Sequence, residues 1–198
     1  MGARVSTLLN VGPQGGRYVF LLIEWNDYAY PVRDELNRQA EAFGMDLGPS
    51  GGVLVQAYPQ RMYEIAREVV GKPWPSEINE RFRSDQDPII LILDRDWNSF
   101  DPREHPYGII WVSRFSENPE AVRPFLQQLA LRSRRGDDLI AYLHDVAIRE
   151  QQAAALDRAQ ESIGLLARIA SYVEIKPSVF GVAIDLKAIL RDISERHH

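Results

Sequence analysis

The chain has 198 residues, 45% of them hydrophobic, a formal net charge of −5 and no cysteine. That is enough for one good-sized domain, or a domain with an appendage, and four Trp, eight Tyr and seven Phe argue against disorder. The missing thiols exclude disulfides, a cysteine nucleophile and Cys-ligated zinc, while the mild acidic balance speaks against a dedicated nucleic-acid binder, which needs clustered Lys and Arg.

In chain order, residues 1–16 are weakly patterned, and Gly12-Pro13 and Gly15-Gly16 suggest a loose N-terminal segment. Tyr18–Ile23 is a near-continuous apolar run, the form of a strand buried on both faces, and it stops at Glu24-Trp25-Asn26-Asp27. Pro31, with Asp34 and Glu35 close behind, opens a helix whose Val32, Leu36, Ala40 and Phe43 share one face. Gly44 is its expected stop, and residues 45–52 are expected to be a flexible connection. Their three glycines match neither a phosphate-binding loop nor a dinucleotide fingerprint.

Val53–Ala57 reads as the next strand. A helix from Pro59 to Gly71 follows, then the rigid turn Lys72-Pro73-Trp74-Pro75 and a short helix from Ser76 through Phe82. Two more buried-type runs, Ile89–Leu93 and Ile109–Val112, flank a loop crowded with acids, aromatics, arginines and one histidine. The link between them suits a one-turn crossover or an antiparallel step equally well. Asn118 caps and Pro119 starts a helix to Arg135, which Gly136 ends.

The order β-α-β-α-α-β-β-α predicts an α/β fold: a Rossmann-like three-layer core with a mostly parallel sheet over residues 17–135. Residues 136–198 are expected to form a C-terminal helical extension with a small β-hairpin and a closing helix. From Leu139 to Val173 an apolar residue recurs every three or four positions without a proline. As one helix this stretch would be roughly 50 Å long against a domain of about 30 Å, so its stripe calls for a partner surface, and a homo-oligomer is expected. The opposing reading breaks it near Glu150 or Gly164 and packs it back on the sheet. The tail hairpin would join a sheet edge or be exchanged between subunits.

Charged groups just past the C-terminal ends of buried strands sit where open α/β sheets hold ligands. Three sets qualify, provided the strands run parallel. Glu24 and Asp27 follow the first strand, and Asp94 and Asp96 the third. On a shared rim they would lie within about 5–10 Å of one another. There they would hold Mg²⁺, the one cofactor this set suggests, or form an acid/base pair. Arg95, Arg103, Arg114 and His105 would read phosphate or supply an auxiliary acid, or would simply pair with the acids and stiffen the loop. The aromatics Trp25, Tyr28, Tyr30, Tyr58, Trp97 and Phe100, all just after expected strands, would stack on a ring, with Trp25 and Trp97 foremost, or close the end of the core.

The leading expectation is a cytoplasmic signalling or regulatory domain that binds a nucleotide-like or phosphorylated ligand. In it Trp25, Asp27, Arg95, Asp96, Trp97 and Arg114 would hold the ligand. The second is a nucleotide-cleaving hydrolase with Glu24 or Asp94 as base or nucleophile and His105 assisting. The third is a non-enzymatic assembly or adaptor protein. Nothing in the sequence suggests a membrane span or a signal peptide.

Overall fold

The computed structural model describes residues 2–13, 15–25, 31–84, 87–116, 118–145 and 181–184. It shows a mixed α/β fold. The strands β1 (Gly2–Val5), β2 (Tyr18–Ile23), β3 (Gly52–Ala57), β4 (Ile89–Leu93), β5 (Tyr107–Trp111) and β6 (Gly181–Ile184) form one sheet in the order β1-β3-β2-β4-β5-β6. The helices are α1 (Pro31–Gly51), α2 (Met62–Val70), α3 (Ser76–Ser84) and α4 (Val122–Arg135).

Three layers are built as the buried strands require. β2, β4 and β5 are buried along their whole length because both sheet faces are covered. On one face Tyr18, Phe20, Leu22, Leu54, Ile90, Ile92 and Ile110 meet α1, α4 and the helical stretch 139–145. On the other, Val19, Leu21, Ile23, Leu91 and Ile109 meet α2, Trp74 and Phe82. The alternation along β2 divides the two cores cleanly.

The strand directions depart from a simply parallel sheet. β1 pairs parallel with β3, β3 with β2 and β5 with β6, but β4 runs antiparallel to both of its neighbours. The link from β4 to β5 is therefore the antiparallel step, with no crossover helix.

Three further expectations are corrected. The N-terminal segment is not loose: β1 adds to the sheet, and Leu8 and Val11 are buried. A four-residue edge strand that alternates exposed and half-buried positions is too short a pattern to stand out in a sequence. Gly44 does not stop α1, which runs on until the backbone leaves helical geometry at Gly48. Leu47, fully buried on the stripe begun by Phe43, holds the extra turn, so packing overrides the glycine. Residues 45–52 are accordingly the end of α1 and the start of β3, and not a flexible connection.

Leu139, Ile140 and Leu143 are buried against the α1/α4 face, so the start of the C-terminal region packs back on the sheet. The rest of the expected long helix and the first hairpin strand lie outside the described residues. β6 coincides with the second expected hairpin strand and extends the sheet beyond β5. Among the described residues no helix is long and apolar enough to cross a membrane.

Candidate functional site

The reversal of β4 separates residues that the sequence placed on one rim. Val19 pairs with Leu93 and Ile23 with Ile89. Glu24 and Trp25 leave β2 at one end of the sheet, and Asp94 leaves β4 at the other. By that register Asp94 faces the start of β2, six residues from Glu24, or about 20 Å along the strand. Acid/base pairs that cleave glycosidic bonds work at roughly 5–10 Å. The shared-rim acid pair is thus corrected, and with it a common Mg²⁺ site, whose ligands must reach within about 2 Å of one ion. Among the described residues no group of three His, Asp or Glu is placed to hold a metal.

The Glu24 end collects the carboxyl ends of β1, β2, β3, β5 and β6, the side of an open sheet where ligands bind. Glu24 is only 8% exposed, and among the described residues it is the one charged side chain classed with the core. Alternation along β2 turns it toward the α1 face. There Asn37, on the second turn of α1, donates to its Oε1 at 3.3 Å. Asn37 Oδ1 in turn accepts from Gln56 Nε2 at 3.4 Å, so the set bridges β2, α1 and β3. Neither Asn37 nor Gln56 was singled out from the sequence. Each is an ordinary polar residue whose meaning depends on which element lies beside it.

On the opposite sheet face the same end carries aromatic rings. Trp25 lies 5.7 Å from Phe82 between centroids, and Phe82 lies 5.4 Å from Trp111. The Arg81 guanidinium sits 4.1 Å over the Trp111 ring. Arg114 belongs to the short turn Val112–Phe115 that follows β5, on the Glu24 end. Asp27 lies outside the described residues.

The other end holds Asp94, Arg95, Asp96, Trp97 and His105, and here local pairing dominates. Arg95 Nε donates to Asp94 Oδ1 at 2.9 Å. Asp96 packs so closely on Gly12 that any side chain at position 12 would collide with its carboxylate. The Trp97 backbone N–H donates to the Val11 carbonyl at 2.8 Å, and the Trp97 ring is buried. These contacts tie the 94–97 turn to the N-terminal segment. Lys72 Nζ donates to the carbonyls of Trp97 and Phe100 at 3.0 and 2.7 Å and lies over the Trp97 ring. Burial lowers the Lys72 pKa. The Trp97 carbonyl also accepts the Phe100 N–H at 3.2 Å, and the ammonium ties it to the Phe100 carbonyl. The sequence hint for it was its place in the rigid Lys72-Pro73-Trp74-Pro75 turn.

His105 Nδ1 accepts the Asp101 N–H at 2.9 Å, and its ring packs beside Phe100. Asp101 is paired with Arg103, which holds its carboxyl down at about 2. Arg95 and Arg103 therefore each pair with an acid of this loop, and His105 with its backbone.

The small apolar hollow between α1 and the sheet, lined by Leu22, Leu36, Phe43, Leu54 and Ile90 among others, amounts to about 10 Å³. It offers no polar partner to a water, let alone to a ligand. No family model, curated protein or solved structure matches the chain.

Proposed function

We propose that this protein is a cytosolic regulatory or signalling domain that binds a nucleotide-like ligand at the Glu24 end of the sheet. The observation that carries the reading is the nearly buried Glu24 carboxylate, held by Asn37, which Gln56 steadies in turn, at the carboxyl ends of parallel strands. The unit β2–α1–β3 is the Rossmann-like part of the proposal, and open α/β sheets bind ligands just past the carboxyl ends of their strands, where Glu24 stands to accept from sugar hydroxyls. Arg114, on the same end, is the residue assigned to an anionic group. Arg95 is not, because it sits on the opposite end beside Asp94. The hydrolase alternative has less support, since Glu24 has no second acid from the 94–96 turn within reach.

The test is an NMR titration of the full chain with ribose 5-phosphate. Resonances of Glu24, Asn37 and Gln56 are expected to shift together. Glu24→Gln keeps the shape but removes the charge, and is expected to weaken binding about 10- to 100-fold, the worth of a hydrogen bond to a charged group. Indifference of Asn37 and Gln56 to the sugar phosphate, or equal binding by Glu24→Gln, would overturn the proposal. The same samples, followed for free sugar or phosphate release, test the hydrolase alternative.

A second reading, assembly through residues 136–198, rests on the apolar residues that recur every three or four positions from Leu139 to Val173. Native mass spectrometry of the intact chain checks it: a homo-oligomer supports the reading and a monomer removes it.

A further inference from the structure

The edge strand β1 places two residues on the α1 face, Gly2 and Arg4, because they pair in register with Leu54 and Gln56 of β3. An added Cβ at Gly2 would meet nothing within 4 Å, and Arg4 is exposed, so that face of the sheet is open above β1. Asn37 on α1, also exposed, and the half-buried Gln56 border the opening and bond to each other across it. Among the described residues no hydrogen bond or ion pair engages the Arg4 guanidinium.

One line of the register crosses the whole face. Arg4 lies beside Gln56, Gln56 beside Leu22, Leu22 beside Ile90, and Ile90 beside Ile110. Leu22, Ile90 and Ile110 are buried and apolar under the helices, whereas Gln56 and Arg4 are polar and reach the surface. Glu24 stands two residues beyond Leu22 and is joined through Asn37 to Gln56. Polar groups therefore lead away from Glu24 on one flank, by way of Asn37 and Gln56 to Arg4. The flank toward β5 and Arg114 presents Ile90, Ile110 and Val112 instead. Between Cα atoms, Arg4 and Glu24 are about 12 Å apart by this register. An arginine and a glutamate extended toward each other leave room between them for a pentose.

Resting on the proposal that Glu24 takes the sugar, we infer that Arg4 takes the phosphate: the ligand is a pentose 5-phosphate, with the phosphate over β1 and the Asn37 and Gln56 amides between its two ends. A guanidinium offers phosphate two parallel donors, and Arg4 gives up no protein partner to do so. Arg114, on the other flank, is left for a second anionic group. In the sequence Arg4 sits in a weakly patterned stretch, and pairing with β3 is what brings it beside Gln56.

The experiment compares ribose 5-phosphate with ribose on the intact chain. Arg4→Gln is expected to lose at least about tenfold in affinity for the sugar phosphate, the worth of a hydrogen bond between charged groups. Arg4→Lys, which keeps the charge, should lose less, and Arg114→Gln should bind as the wild type does. In the wild type with labelled arginine side chains, the Arg4 Nε–H resonance is expected to move with ribose 5-phosphate and to stay put with ribose. Binding that depends on Glu24 but is equal in Arg4→Gln, with an unmoved Nε–H resonance, overturns this inference and leaves the Glu24 site standing. So does a loss in Arg114→Gln in place of Arg4→Gln. An Arg4→Gln variant that self-associates with unchanged binding makes Arg4 a guard of the sheet edge and also overturns it. Failure of ribose 5-phosphate to bind the wild type overturns both readings.

Discussion

Replacing Tyr18 with Phe tests how the C-terminal region is anchored. The Tyr18 hydroxyl donates to the Asp137 carbonyl at 3.2 Å and accepts the Leu139 N–H at 3.0 Å. It thus joins the start of β2 to the point where the chain leaves α4 and begins the stretch 139–145. Burial pushes the phenol above its usual range, so the hydroxyl keeps its proton and both bonds at ordinary pH. Phe retains the ring and its edge contact with Phe20. What is lost is the partner of a buried N–H, since Leu139 is fully covered, and an unsatisfied group of that kind costs about 1–3 kcal/mol. Taking about 2 kcal/mol, the melting temperature of a chain this long should fall by about 4–8 °C. Urea unfolding followed by circular dichroism gives the free energy, and the slope should not change because the same surface is buried. Hydrogen exchange should quicken at Leu139 before it does in β2. A variant within about 0.5 kcal/mol of wild type, with Leu139 equally protected, would refute the reasoning.

Two other perturbations test the fold and the loop, beside those of Glu24 and Arg4 already described. Gly52→Ala should cost about 3 kcal/mol or more, because Gly52 holds a φ of 144° and an added Cβ would run into the Tyr18 carbonyl, which is backbone and cannot give way. Denaturation reads the loss, and a variant as stable as wild type would mean that β2 and β3 do not meet in this register. Asp101 sits at about 2 against an ordinary 3.8, with its hydrogen bonds from Arg103 the main cause. The sign follows from linkage: the folded state holds this proton less tightly than the unfolded chain, so the stabilisation is present above about pH 4 and disappears as the pH falls through about 2. NMR titration of the Asp101 carboxyl should show the low value in wild type and a rise toward the ordinary one in Arg103→Ala. An ordinary value in wild type would show that the pair does not form in solution.

Much of the core was legible along the chain. The runs Tyr18–Ile23, Ile89–Leu93 and Ile109–Val112 are apolar without alternation because both faces of their strands are covered, although the last strand begins two residues earlier, at Tyr107, and ends at Trp111. The stripe Val32, Leu36, Ala40, Phe43 fixed the buried face of α1 for the same reason. Gly136, in the left-handed conformation, ended α4 where only a glycine sits without strain. Glu24 was visible as an acid at a strand end, though nothing local showed that it would be nearly buried.

Strand direction was decided by tertiary structure. An apolar run reads the same whether the strand points up or down, since direction is set by the connections and by the neighbours it meets. β4 points down, and that one fact sends Asp94, Arg95, Asp96, Trp97 and His105 to the far end of the sheet from Glu24. Asn37 and Gln56 gained their place in the same way, from two elements 19 positions apart that pack side by side. Periodicity carries which residues are buried, because burial is a property of each element by itself. Which polar residues share a site is a property of how the elements are laid together, and only the assembled sheet settles it.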